Sequence, residues 1–197
     1  HPHLDAEVDD EGLSEILLMG PARTPGVGVF KNVHELKPGH MCQVDRDGLK
    51  VTPYWELEST HHNDDFETTT EKVRYLVQDA IERQLVSDVP VGTMLSGGLD
   101  SSAISAWSAH VLKQDGKGSL STFSVDYSEN EQYFSSNEFQ PNADAPWAKL
   151  MVQHIQSDHH NIEIDNEELL NTLIPAMRAR DLPGMADIDA SLLLFCR

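Results

Sequence analysis

From residue 89 onward the chain alternates short β-rich runs with helical ones, and this rhythm restricts what it can fold into. Residues 89–95 (VPVGTML), 121–127 (STFSVDY) and 159–164 (HHNIEI) read as strands. Residues 100–113, 143–156 and 165–180 read as helices. Consecutive parallel strands need a long crossover, normally a helix, so the pattern implies an α/β fold with a doubly wound parallel sheet. Pro146 fits only the first turn of its helix, and Pro175 is expected to kink or split the last one. Residues 128–141 read as a loop, and the acids over 126–138 as a solvated stretch that could act as a lid over the site.

Upstream the pattern differs. Residues 8–20 put Leu13, Ile16 and Leu17 on one helical face, and a turn-rich break follows. Residues 41–44 and 49–55 alternate like a hairpin between turn signals. The acidic stretch 59–67 reads as a linker. Residues 69–86 then carry Val73, Leu76, Val77, Ala80, Ile81 and Leu85 on a single face. The expected organisation is a helix-hairpin appendage over 1–66 and an α/β domain over 67–197. The last residues, ASLLLFCR, stop in mid-helix without a cap, so truncation is expected at the C-terminus and, with it, at the N-terminus.

The chemistry concentrates at Leu95–Ser102, LSGGLDSS, between a strand and a helix. Gly97 and Gly98 lack Cβ atoms, so the turn can be tight and a ligand can approach the backbone. Ser96, Ser101 and Ser102 supply hydroxyls, and the N–H groups opening the helix point to the same place with the positive end of its dipole. This describes a phosphate cradle. Asp100 would repel a bare phosphate and makes sense if Mg²⁺ bridges the two. The loop is neither Walker A nor GxGxxG.

Charge makes these local devices necessary. Lys+Arg number 14 against 33 Asp+Glu over 197 residues, a net charge of −19, which repels nucleic acid and a free nucleotide alike. No apolar run approaches the roughly 20 residues that span a bilayer, and the acidic start is not a secretory signal. His61-His62 and His159-His160 read as solvated surface pairs rather than metal ligands. Asp181, Asp187 and Asp189 either line the substrate end of a cleft or form an acidic loop with a helix cap. Trp55, Trp107 and Trp147 are expected in the core, and Cys42 and Cys196 as small buried residues.

Residues 87–109, SDVPVGTMLSGGLDSSAISAWSA, resemble the nucleotide loop of glutamine-dependent asparagine synthetases, of the ATP pyrophosphatase superfamily. The resemblance extends through PGH to YWEL (38–57), STFSVDY, the stretch 143–160 and ADIDASLLLFCR, covering about residues 8–197. It implies the adenine nucleotide alpha hydrolase-like sheet, here incomplete, with 1–66 as an inter-domain segment. It further implies that Ser96, Gly97, Gly98, Asp100 and Ser101 hold the pyrophosphate of ATP and Mg²⁺, with Asp100 as the metal ligand. Leu95 and Val125 would offer backbone groups to adenine.

The reaction implied is adenylation of the aspartate side chain, then displacement of AMP from β-aspartyl-AMP by ammonia drawn from glutamine. No protein nucleophile is required, so no catalytic residue is assigned. The family's second motif, S-G-E-G-x-D-E, and its glutaminase half with an N-terminal cysteine do not appear; the chain begins with His1, so the piece is expected to be inactive alone. The expected partners are the small-molecule substrates and the glutaminase domain of the same full-length chain; a homodimer is allowed, nucleic acid and membrane are not. The implied location is cytoplasmic. The same loop would serve a β-lactam synthetase-like or peptide-cyclising relative, or a non-catalytic nucleotide-binding module.

Overall fold

Asp9 and Asp65 each start a helix by the same device. The side chain accepts the backbone N–H three residues on, from Gly12 at 3.0 Å and from Thr68 at 2.8 Å. A computed structural model of the chain describes residues 5–128, 130, 134–136, 138 and 142–197. It resolves into two compact units, one running to His62 with Leu173–Ala190 added, the other Asn63–Thr172 with Ser191–Arg197.

In the first unit, α1 (Asp10–Ser14) continues into a π-helical turn, Glu15–Met19. Gly12 and Glu15 face inward, while Leu13 and Leu17 are exposed, the reverse of the expected apolar face. The π turn rotates the stripe, and Glu15 is held by Thr24, whose N–H and Oγ1 lie 2.8 and 2.7 Å from its carboxylate. These bonds, the backbone one first, lower the Glu15 pKa. Strands β1 (His40–Asp45) and β2 (Gly48–Pro53) form the expected hairpin, closed by a two-residue turn with Asp45 opposite Gly48. Both faces of this ribbon are largely solvated, so Cys42 and Trp55 are exposed, not buried.

The second unit holds α2 (Phe66–Gln84), β3 (Gly92–Met94), α3 (Leu99–Gln114), β4 (Ser121–Tyr127), α4 (Ala145–Ile155) and β5 (Asp158–Ile164). The strands form one parallel sheet in the order β3-β4-β5. α2 buries Ile81, and its C-cap Leu85 is buried too, but Val73, Leu76 and Val77 are exposed. β3 is shorter than its apolar run because Pro90 cannot donate to a ladder.

Alternation assigns the faces of the sheet. On one, Thr93 Oγ1 meets Ser105 Oγ of α3 at 2.8 Å. On the other, Phe123 stacks on His160, with ring centroids 5.0 Å apart, and meets Phe195 edge-on at 6.0 Å. Tyr127 reaches Ser191 at 2.8 Å on that same side. Phe195 and Ser191 belong to α6 (Ala186–Phe195), so helical residues cover both faces. α5 (Asn166–Arg180) runs through Pro175 without splitting; a split was one of the two outcomes expected there, the other being a kink. In the first unit, Asp189 pairs with Arg180 at 3.0 Å and accepts Met185 N–H at 2.9 Å, supporting the start of α6. Trp147 and Cys196 are exposed as well, and only Trp107 of the three tryptophans is half-buried, with its indole N–H on Glu82 at 3.0 Å. Among the described residues, no helix is long and apolar enough to cross a membrane.

Candidate functional site

The loop that leaves β3 turns directly into α3. Gly98 is the N-cap, in extended conformation, and Ser102 N–H closes the first helical bond onto its carbonyl at 3.0 Å. The N–H groups of Leu99, Asp100 and Ser101 therefore stand at a helix start, where no intrahelical acceptor exists for them. The flanking hydroxyls converge: Ser96 Oγ lies 3.0 Å from Ser101 Oγ, Gly98 N–H donates to Ser96 Oγ at 3.4 Å, and Ser101 Oγ donates to Gly98 O at 3.2 Å. Asp100 is exposed in the first turn. Ser96, Gly98, Asp100 and Ser101 are thus brought to one open rim.

The two glycines divide their work. Gly97 has φ +90°, and a Cβ there would lie 2.7 Å from Asp144 O and 2.8 Å from Ala148 N. Its missing side chain makes room for the start of α4, and its positive φ gives the tight turn expected from sequence. Gly98 meets only Ser96 Oγ, at 3.5 Å, so its surface is free for approach.

Leu95 is fully buried, and its N–H is spent on Phe123 O at 2.7 Å, so that group is not available to a ligand. That bond is the last between β3 and β4, whose register ends at Met94 opposite Phe123. The period of two turns the Val125 backbone to the same side, just past the point where β3 stops. Leu95 and Val125 therefore flank a notch at the carboxyl ends of adjacent strands, the usual place for ligands in open α/β sheets.

A cavity of about 830 Å³ opens from this notch between the sheet and α4. Ser96, Ser124, Val125 and Asp126 line it from one side, and Ala145, Ala148, Lys149 and Val152 from the other. The α4 residues follow the i, i+3, i+4, i+7 spacing of one helical face, so the stripe that would pack on a sheet lines a void.

Its floor is polar. Thr122 Oγ1 lies 2.8 Å from Ser157 Oγ and 3.0 Å from His159 Nδ1. His159 Nε2 lies 3.1 Å from Ser124 Oγ, which donates to Asn161 Oδ1 at 2.9 Å. His159 is therefore half-buried and fully engaged, not part of a solvated pair; burial first, and the neighbouring His160 second, lower its pKa. The sequence reading missed Ser124, Asn161 and Lys149. The one signal available was the alternation of Thr122 and Ser124 with Phe123 and Val125, which makes one face of β4 polar.

Among the described residues, no group of three His, Cys, Asp or Glu side chains is placed to hold a metal ion. Of the stretch 126–138 expected as a lid, residues 129, 131–133 and 137 lie outside the described residues.

Comparison with known proteins fits this geometry. The family model described as asparagine synthase matches residues 72–197. The glutamine-hydrolysing asparagine synthetase 3 of Bacillus subtilis is 51% identical over 197 residues, covering 100% of this chain and 32% of that protein. Asparagine synthetase 2 of the same organism is 32% identical over 187 residues, covering 86% of this chain and 23% of the relative. The human glutamine-hydrolysing asparagine synthetase is 24% identical over 192 residues, 97% of this chain and 30% of the human protein. The chain thus spans about a third or less of the length of these relatives.

Proposed function

The chain belongs to the asparagine synthase family, and on that footing we propose that it forms the ATP-binding part of an enzyme that makes asparagine from aspartate. The observation that carries this reading is the open rim of Ser96, Gly98 and Ser101 at the start of α3, continuous with the Leu95–Val125 notch. The rim suits the pyrophosphate portion of ATP, and the notch suits adenine. We read residues 67–197 as the partial synthetase domain of doubly wound ATP pyrophosphatase type, and 1–66 as the segment joining it to a glutaminase domain.

Donor chemistry supports a Mg²⁺ ion held chiefly through the nucleotide. Mg²⁺ keeps several waters and commonly takes one or two carboxylates plus phosphate oxygens, and exposed Asp100 supplies one. When bound, the ion would neutralise charge on the leaving pyrophosphate.

In the proposed reaction an aspartate side-chain oxygen attacks the α-phosphorus, and the bond to the bridging oxygen breaks to release pyrophosphate. Ammonia then attacks the acyl carbon of β-aspartyl-AMP, loses a proton, and AMP departs with the former carboxylate oxygen. The protein's part is positioning and charge stabilisation, which needs no nucleophilic side chain. The ammonia would come from glutamine hydrolysed in the glutaminase domain.

Aspartate labelled with ¹⁸O in its side-chain carboxylate tests the chemistry in the full-length protein. Label recovered in AMP, with pyrophosphate released, is the expected outcome. ADP and phosphate as products, or AMP without label, would overturn it.

A further inference from the structure

Resting on the nucleotide reading above, we propose that Asn161 reads the base of the bound nucleotide, with its amide N–H₂ aimed into the cavity by a directed chain of hydrogen bonds through His159. The chain has four links: Ser157–Thr122, Thr122–His159, His159–Ser124 and Ser124–Asn161.

Donor and acceptor counting fixes the direction. Ser124 donates its one proton to Asn161 Oδ1, so its oxygen must accept from His159 Nε2–H. A neutral ring with a proton on Nε2 has a bare Nδ1, which must accept from Thr122 Oγ1. Thr122 has then spent its proton and accepts from Ser157. Each of the five side chains is used once, and burial with the neighbouring His160 outweighs the Thr122 backbone, which favours the protonated ring. Burial that disfavours the imidazolium keeps the ring in the neutral form this arrangement needs.

At the far end, Asn161 lines the cavity and has its oxygen committed, which leaves its two N–H donors for a ligand. Asn161 pairs in register with Ser124, beside Val125 at the notch. β5 stands two strand spacings, about 10 Å, from β3 and its phosphate loop. That separation places Asn161 at the base end of a nucleotide whose phosphates rest on the loop. A fixed donor there matches a ring-nitrogen acceptor of a purine.

Three measurements test this. Histidine ¹⁵N NMR at neutral pH reads the His159 tautomer: a proton on Nε2 with bare Nδ1 is expected, and a proton on Nδ1 would reverse the chain and overturn the proposal. Titration with Mg-ATP and, separately, with Mg-pyrophosphate reads the role of Asn161. Asn161→Leu, at an exposed position, should weaken Mg-ATP about tenfold and leave pyrophosphate within twofold. His159→Gln should weaken Mg-ATP alone, with no further loss on the Asn161→Leu background. Finally, one of the 1-, 3- and 7-deaza analogues of ATP should bind the wild type about tenfold more weakly than ATP, and that difference should vanish in Asn161→Leu. Unchanged Mg-ATP binding by Asn161→Leu, with a wild type that binds both ligands, overturns this proposal alone. A wild type that binds neither overturns the nucleotide reading and this one with it.

Discussion

Gly97 sits against the carbonyl of Asp144 so closely that a Cβ on Gly97 would lie 2.7 Å from that oxygen. The contact joins the phosphate-loop candidate to the first turn of α4. With φ at +90°, any side chain is strained there whatever the space. Gly97→Ala should therefore lower stability by about 2–4 kcal/mol, combining left-handed strain with overpacking. Gly98→Ala has room and a negative φ, so it should leave the melting curve nearly unchanged and instead weaken pyrophosphate binding. Thermal denaturation beside titration of both variants separates the roles; equal stability of the two would refute the division.

Ser105 and Ser108 are both buried in α3 but differ in partnership. Ser105 shares a hydrogen bond with Thr93 at 2.8 Å, whereas Ser108 Oγ has no partner among the described residues. Ser105→Ala should lower stability by about 1 kcal/mol. Ser108→Ala removes a buried hydroxyl without orphaning anything and should be neutral or stabilising by up to about 1 kcal/mol. Urea denaturation decides, and a loss at Ser108 equal to that at Ser105 would count against the account.

Glu15 is expected to contribute to stability in a pH-dependent way. Its pKa is lowered by the Thr24 N–H and hydroxyl, so the folded state prefers the carboxylate. The contribution is complete above the ordinary value near 4.5 and is lost as pH falls through the lower folded value. The melting-temperature gap between wild type and Glu15→Gln should narrow below that pH. A gap independent of pH would show that the Thr24 contacts do not favour the charged form.

His159 should behave with the opposite sense of charge. Its folded pKa is lowered, so the fold prefers the neutral ring. Stability should fall as pH drops below the ordinary histidine value of 6.5, where the unfolded chain takes up the proton first, until the folded ring protonates as well. His159→Gln should flatten that segment of the pH–stability curve. A wild type and variant with parallel curves would show that the ring is not held neutral.

Much of this architecture was legible because it rests on local rules. The strand–helix rhythm pointed to the parallel sheet, and the turn signals around residues 45–48 pointed to the hairpin. Cα geometry was harder to foresee. Gly97 and Gly98 are indistinguishable in sequence, and only the approach of α4 assigns them different work. The apolar stripe of 8–20 failed because a π turn shifts its period, and burial of Glu15 depends on Thr24, whose contact is tertiary. Cys42, Trp55 and Trp147 were expected inside because they are apolar types, yet a two-stranded ribbon and an exposed helix face hide little. The His159 chain was illegible because it links β4 to β5 and to Ser157, across register that no single segment encodes.

Calorimetric titration of Mg-pyrophosphate into the wild-type protein, Ser96→Ala and Asp100→Ala tests the central claim most directly. The account expects saturable binding by the wild type, loss of about tenfold or more in each variant, and, for Asp100→Ala, a weaker dependence on Mg²⁺. Binding of equal strength by all three, or binding that survives when the rim of Ser96, Gly98 and Ser101 is disrupted, would contradict it.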